Sequence, residues 1–357
     1  MANRKQSLLS AYTNRVSKPL FTELSQLLKE GGDNYPNKII IYANTREAIL
    51  RFLDTKLIEF LDSDPHLRSV EYIDINGEMP KKEKTLKIFH FVNGNDPECD
   101  FKILLATSGV GNAGIDSKEI RAVFRLDMPA SVYDLSQEMG RAGRTNIATQ
   151  DDYFYQVFFT LDHVRYLFRR IHETEESGCV DELYKSVQVK DLVTVVEILC
   201  NTKACHKRLL ETVLGNPRGN RTSFQNCSKC ANCTDSSSFP TLCKEGTRFV
   251  LFDVFTTGFD GPPSYDNVSK KLQTYPEVQK HLFSKSSNRN AVPIDVDKVL
   301  FTMIGLRILS MKYNVTVDGN ITFHLNKIGP NSTTLCLMDD RYWRSVNCKA
   351  AIIVYND

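Results

Sequence analysis

Gln137-Glu-Met-Gly-Arg-Ala-Gly-Arg144 is the most distinctive stretch of this 357-residue chain. Arg141 and Arg144 stand three apart, on one face if the segment is helical, and Gly140 and Gly143 beside them let another backbone come close. Two planar guanidiniums so placed suit the charge of a phosphoryl-transfer transition state. The same residues would also make a surface helix with exposed arginines, and composition by itself favours that plainer reading.

Outward from this stretch, the chain from Leu20 to Phe159 alternates apolar runs with amphipathic segments. The runs Lys38–Tyr42, Ile103–Thr107, Ala122–Leu126 and Tyr153–Thr160 read as strands. Arg46 to Leu61 carries Ile49, Leu53, Leu57 and Leu61 at helical spacing, as a crossover helix should. The expected fold is therefore α/β, a parallel sheet with flanking helices.

From Asp162 to Leu214 the pattern turns helical, with Leu192, Val195, Val196 and Leu199 on one stripe and Lys203, His206, Lys207 and Arg208 in a basic stretch. Asn216 to Ser238 is rich in Asn, Ser, Gly and Cys and too poor in apolar residues to hold itself together. Cys205 precedes it, and Cys227, Cys230 and Cys233 crowd into seven residues within it. Met1 to Ser10 is polar and basic without the apolar core of a signal peptide, so the ten cysteines are expected to be reduced. Four thiolates would then close a tetrahedral zinc shell with no position left for water, which makes the role structural. His206 and Cys243 are the competing ligands, whereas Cys99, Cys179, Cys336 and Cys348 show no ligand spacing.

Beyond Gly246, helical segments at Asp266–Leu272 and Val296–Leu309 precede alternating runs at Lys312–Val317 and Asn320–Leu325. Asp318-Gly319 between the runs favours a two-residue type I′ turn. A helix feeding a β-hairpin is the pattern of a winged helix, an α+β unit. Tyr313 and Phe323 stand near the turn, at alternating strand positions where an aromatic is more often core.

The formal charge of +2, from 45 Lys and Arg against 43 Asp and Glu, announces no polyanion partner, so any nucleic-acid contact must be local. With 41% hydrophobic and 25% charged residues, the chain is globular in composition and long enough for two or three domains. No stretch reaches the ~20 apolar residues of a membrane span, and an intracellular, soluble protein without membrane partners is expected.

Gln137 to Arg144 resembles the final motif of superfamily 2 helicases in the form found in RecQ enzymes, Gln-Glu-x-Gly-Arg-Ala-Gly-Arg. Ile103-Leu-Leu-Ala-Thr107 leading to Gly114-Ile-Asp116 is similar to the preceding motif. Ile39-Ile-Ile-Tyr-Ala-Asn-Thr-Arg46 is similar to the strand and turn that open the second lobe, and Gly77-Glu-Met79 to the short element between them. Glu197 to Arg208 resembles the helix that carries the first zinc ligand, and Val299–Leu309 with His324–Pro330 resembles the winged helix of eukaryotic RecQ proteins. The likeness implies a second RecA-like lobe at 17–161, a helical zinc-binding module at 162–238, a winged-helix-like region at 246–330 and a C-terminal extension at 331–357.

What the resemblance implies is a nuclear, ATP-dependent 3′–5′ DNA helicase of recombination and repair. Arg141 and Arg144 would approach the γ-phosphate of an ATP held by another lobe, with Gln137 sensing the nucleotide and Gly114 and Asp116 at the lobe interface. Thr45, Arg46 and Thr107 would touch the phosphates of the tracked strand, Tyr313 or Phe323 would meet the duplex end, and Cys205, Cys227, Cys230 and Cys233 would hold a structural Zn²⁺. The partners implied are single-stranded DNA and duplex junctions. Two departures stand out: Ser108 to Asp116 supplies nine residues where the family usually has eight, with Ser117 in place of lysine, and Thr145 replaces the usual aspartate.

A complete motor also needs a Gly-x-x-x-x-Gly-Lys-Ser/Thr loop and an acidic motif for Mg²⁺. Gly215-Asn-Pro-Arg-Gly-Asn-Arg-Thr222 lacks the spacing and the lysine, and Asp181-Glu-Leu-Tyr184 lacks a preceding strand and the histidine. ATP and Mg²⁺ are therefore expected only together with a first lobe, in the same gene product or on a separate chain, and this chain alone is expected not to hydrolyse ATP. The alternative expectation is a non-catalytic DNA-binding remnant of such a helicase.

Overall fold

A computed structural model of the protein describes residues 20–28, 38–67, 70–94, 101–111, 115–117, 120–142, 154–173, 182–201, 204–215, 230, 233, 263–274, 296–305, 309–316 and 320–327. They form two compact units that divide between Val164 and Arg165.

Five parallel strands build the first unit, β1 (Lys38–Ala43), β2 (Val70–Ile75), β3 (Phe101–Thr107), β4 (Ile120–Arg125) and β5 (Phe154–Val157), in the spatial order β2-β3-β1-β4-β5. The central β1 and β4 are buried at every residue, as strands covered on both faces must be, which is why both are mostly apolar even though Lys38, Arg121 and Arg125 lie in them. β2 was not among the expected strands. Its sequence Val-Glu-Tyr-Ile-Asp-Ile is only partly buried because it lies at the sheet edge, so it lacks the apolar run that marks the centre. At the other edge β5 is shorter than expected, ending at Val157, where the Phe158 amide donates to the Arg125 carbonyl at 2.8 Å.

The expected crossover helix is present but contains a π turn: α2 (Arg46–Phe52) continues through Leu53–Leu57 in π geometry into α3 (Ile58–Ser63). The sequence explains it. Ile49, Leu53, Leu57 and Leu61 recur every fourth residue, which drifts about 40° per step around a regular helix of 3.6 residues per turn. The wider π turn corrects the drift, and all four side chains end at 9% exposure or less. Phe21, on residues 20–28 (α1), stacks on Phe52 at 5.3 Å and meets Phe60 at 5.1 Å. Elsewhere Ile40, Tyr42, Ile73, Ile75, Leu104, Ala106 and Val123 form a core with Phe91 of α4 (Lys81–Asn93).

In the second unit, α8 (Glu182–Leu199) and α9 (His206–Val213) accompany helices Tyr265–Thr274 and Val296–Gly305 and the antiparallel hairpin of β6 (Leu309–Val315) and β7 (Ile321–Lys327). Glu182 opens a helix, so Asp181-Glu-Leu-Tyr184 is no strand-end acidic motif. The hairpin corrects one expectation. Thr316 donates to the Asn320 carbonyl at 2.9 Å, so three residues, 317–319, connect the strands where two were expected; those three lie outside the described residues. The physical reason is register. With three connecting residues, odd positions face odd positions, and Leu309, Met311, Ile321, Phe323 and Leu325 share one buried face. A two-residue turn would have slipped one strand by a residue and turned its apolar set outward.

Gly305 marks where two helices of this unit meet. A Cβ there would lie 1.9 Å from the Cys200 carbonyl oxygen, and the Asn201 side-chain amide donates to the Gly305 carbonyl at 3.0 Å. Gly305→Ala should therefore lower stability by about 1–3 kcal/mol, the cost of overpacking a filled contact. Urea denaturation checks this, and an unchanged midpoint would mean the helices do not touch there.

Candidate functional site

In the five-stranded sheet the chain moves from β1 to one side and later crosses to β4 on the other, so strand order reverses beside β1. Crevices at the carboxyl ends of strands flanking such a reversal are where open parallel sheets bind ligands. Those ends carry Asn44-Thr45-Arg46 after β1, Thr107-Ser108 at β3 and Asp127-Met128 after β4.

The residue joining these ends is Arg125, the last of β4, with a side chain wholly buried. Its Nη1 donates to Glu138 Oε1 at 2.6 Å and to the Ser108 hydroxyl, and its Nη2 donates to the Asn44 side-chain oxygen and to the Met128 carbonyl at 3.3 Å. Nε lies 2.7 Å from Asp127 Oδ1 as an ion pair too bent to be a hydrogen bond. The Asn44 amide closes the ring by donating to Asp127 Oδ2 at 2.8 Å. Four separate segments thus converge on one guanidinium, whose planar fork of donors suits it to them.

Sequence reasoning missed Arg125, Glu138, Asn44 and Asp127. A signal was available: Arg125 follows the apolar run Ala-Val-Phe within a segment that reads as a buried strand, and a buried charge requires partners. The partners are too distant in sequence to be named without the fold.

Glu138 belongs to α6 (Val132–Met139), started by Ser131, whose hydroxyl accepts from the Asp134 amide at 3.0 Å. Glu138 also accepts from the Tyr155 hydroxyl at 3.1 Å. Burial pushes its carboxyl up to about 7, against the lowering pull of Arg125 and the Tyr155 hydrogen bond. The direction is physically sensible, because one guanidinium faces two carboxylates, Asp127 and Glu138, in a dry site. Arg125 itself is held firmly charged by the same pair, which outweighs its burial.

Gln137 is half-buried on α6, and Arg141 just beyond the helix is only 8% exposed. The Arg141 Nη1 donates to the Ile115 carbonyl at 2.6 Å, and its side chain also bonds the Tyr42 hydroxyl. Arg141 is thus held by a strand-end hydroxyl and a loop carbonyl. The carbonyl it reaches belongs to the residue before Asp116, which is itself exposed. Gly114 and Arg144 lie outside the described residues.

Thr45 caps α2, its hydroxyl accepting from the Ala48 amide at 3.1 Å. Arg46 is exposed and pairs with Glu78 of the Gly77-Glu-Met79 segment, so two of the motifs touch. Thr107 is half-buried, paired in register with Ala43. Thr45, Arg46 and Thr107 thus share the carboxyl edge of the sheet.

In the second unit, the Cys205, Cys230 and Cys233 sulfurs lie within 4.8 Å of one another, at 3.8 Å for Cys230–Cys205 and 3.4 Å for Cys230–Cys233. The edge of a tetrahedron of sulfurs around zinc is ~3.8 Å, from a Zn–S bond of about 2.3 Å, so the donor set fits such an ion. Cys227 and Cys243 lie outside the described residues. His206 faces the Asn201 carbonyl through Nε2 at 3.0 Å and is not among the converging groups. Cys200 is buried, its thiol pushed up by burial, and stands apart from the cluster.

Phe323 corrects the expectation of a duplex-facing ring. It is 1% exposed, with its ring 5.2 Å from Phe168 of α7 (Leu161–Glu173), because its odd register position faces the core. Tyr313 is half-buried between Phe168 and His172, at 5.1 Å and 5.3 Å.

Residues 20–146 match the family described as Helicase conserved C-terminal domain. The sheet strands β1 to β4 and their motif-bearing carboxyl edge lie within the residues that match this family. Over 249 residues the chain is 21% identical to the ATP-dependent helicase SGS1 of Saccharomyces cerevisiae, covering 66% of this chain and 16% of that protein. It is 24% identical over 202 residues to the RecQ-like DNA helicase blm-1 of Caenorhabditis elegans, covering 56% and 19%. With the mitochondrial ATP-dependent RNA helicase MRH4 of Scheffersomyces stipitis it shares 26% identity over 146 residues, covering 39% and 24%. The chain spans less than a quarter of the length of each of these relatives. Among the described residues no helix is long and apolar enough to cross a membrane.

The raised Glu138 carboxyl predicts a pH dependence. The folded state holds the proton more tightly than the unfolded one, so its contribution is full below the ordinary carboxylate range and is lost as pH rises through about 7. The urea midpoint should fall between about pH 5 and about pH 8, and Glu138→Gln should flatten that slope. A wild-type profile already flat would show that Arg125 keeps Glu138 ionised throughout.

Proposed function

We propose that this chain supplies the second motor lobe and the rear DNA-engaging region of a RecQ-type, ATP-dependent 3′–5′ DNA helicase. Arg141 and Arg144 act on the γ-phosphate of an ATP gripped by a first lobe, and Gln137 reports the state of that nucleotide. Gly114 and Asp116 line the interface, and Thr45, Arg46 and Thr107 contact the phosphates of one DNA strand. The observation that carries the reading is the convergence at one sheet edge. Thr45, Arg46 and Thr107 lie at the ends of adjacent strands, while Arg141 reaches the loop of Asp116 through the Ile115 carbonyl.

The choice of RecQ type over a general RNA helicase rests on the extent of likeness. The alignment with the RecQ-like DNA helicase spans 202 residues, more than the 164 up to Val164, and so runs into the second unit. The 146 residues shared with the RNA helicase are fewer than the first unit contains.

Cys205, Cys230 and Cys233, with Cys227 as the fourth ligand, hold a structural Zn²⁺ that braces the second unit. When bound, the ion ties the polar segment around Cys227 to the start of α9 and does no chemistry of its own. The purified chain should contain one zinc per molecule, and Cys230→Ser should release it and lower the melting temperature of the second unit. Metal content equal in wild type and variant would remove the zinc from this reading.

The functional test is DNA binding and DNA-stimulated ATP hydrolysis, by the chain alone and with a first lobe supplied. Salt-sensitive DNA binding is expected, since phosphate contacts release counterions. Hydrolysis should require the first lobe and should fall by about 10³-fold or more in Arg141→Ala, the scale of an arginine-finger loss. DNA binding without hydrolysis under any complementation would favour a binding remnant. Salt-insensitive or absent DNA binding would overturn the helicase reading.

A further inference from the structure

We infer that Arg125 is a positioning residue that couples the strand-contacting turns to the nucleotide-facing helix α6. The inference deepens the function proposed above and rests on Thr45, Arg46 and Thr107 being strand contacts. Three features argue for a link beyond ordinary core packing.

The first is that Arg125 reaches both sides of the site at once. Through Asn44 it holds the residue before Thr45 and Arg46, and through Ser108 the residue after Thr107. Through Glu138 it holds the residue between Gln137 and the Arg141 segment. Thr45, Arg46, Thr107, Gln137 and Arg141 each lie within three positions of a group that this guanidinium grips.

The second is that the links are directional and buried. A hydrogen bond to a charged donor in a dry site is stiff and specific in angle, whereas apolar packing permits sliding. Displacing Asn44 or Ser108 by a bound strand must move the guanidinium or break its bonds, and the guanidinium cannot turn without carrying Glu138. The third is that Glu138 anchors the C-terminal end of α6, whose first half is held by buried Val132 and Leu135. The helix spans eight residues, Tyr133 on it is 63% exposed, and Glu138 is its one fully buried charged side chain among the described residues. Arg125 thereby sets the height and rotation of that end of α6, and with it the presentation of Gln137 and Arg141.

Amide hydrogen exchange of the whole chain, with and without an oligothymidine of about twenty nucleotides, tests this. In the wild type the strand should slow exchange at the Asn44 amide, which donates to Asp127, and also at the Gly140 and Arg141 amides, which donate to Ser136 and Glu138. A slowing of about tenfold at the latter pair is expected, within the range shown by coupled sites. Arg125→Lys keeps the charge but cannot span the same partners, and should bind the oligomer while losing the distant protection at Gly140 and Arg141. Should that variant fail to fold, Glu138→Met with Tyr155→Phe serves instead. It severs α6 from the guanidinium and leaves Arg125 and Asp127 as a balanced pair.

Protection at Asn44 but none at Gly140 and Arg141 in the wild type would overturn the coupling and leave the helicase reading intact. Protection at Gly140 and Arg141 that persists in the folded variants would show that another route carries it and overturn the role of Arg125. No binding of the oligomer by the wild type would overturn the strand-contact reading and this inference with it.

Discussion

One buried guanidinium with two carboxylates is the constraint on which the first unit depends. Arg125 sits where β4 ends, at zero side-chain exposure, and a charge so placed is costly unless its donors are taken up. Satisfying it recruits Asn44 from the turn after β1, Ser108 from the end of β3, Asp127 and Met128 from its own turn and Glu138 from α6. Each of these segments is free to take many conformations alone. Meeting the same fork of donors, they are held to one. The strand ends that carry the polar candidates are consequently locked in register with the helix that carries Gln137.

That constraint also explains the mixed character of the carboxyl edge. The sheet beneath is apolar on both faces of β1 and β4, and its hydrophobic burial supplies the bulk of the unit's stability. At the edge the chemistry changes within two residues, from Ala43 to Asn44 and Thr45, and from Phe124 to Arg125. A polar network of this kind specifies geometry more than it adds stability, since an apolar replacement of a buried ion pair can be neutral or better. Arg141, folded against Ile115 and Tyr42, extends the same network toward Asp116.

In the second unit the organising features are different. Helix ends meet at a glycine contact between Gly305 and Cys200, the hairpin buries its odd positions, and three sulfurs gather at the start of α9. Phe168 collects the Tyr313 and Phe323 rings, so the aromatic residues of the hairpin form core there. Neither sulfur convergence nor aromatic packing depends on strong local propensity. Both follow from residues far apart in sequence being brought to one place.

What the sequence determined by itself was the class of the first unit and the location of its motifs, because these are written in local pattern. Short apolar runs at Lys38–Tyr42, Ile103–Thr107 and Ala122–Leu126, alternating with amphipathic segments, read as strands covered on both sides, and Cys230-x-x-Cys233 brings two sulfurs together over one turn of chain. The tertiary structure alone decided the rest. It made β2 an edge strand, inserted a π turn into the crossover, chose a three-residue hairpin connection, bonded Arg141 to the Ile115 carbonyl and placed Phe323 in the core. It also joined Arg125 to Glu138, thirteen residues away, and to Asn44, eighty-one away. Local pattern reports the period and burial of a segment, but a buried charge finds its partners through space, and only the folded chain says which they are.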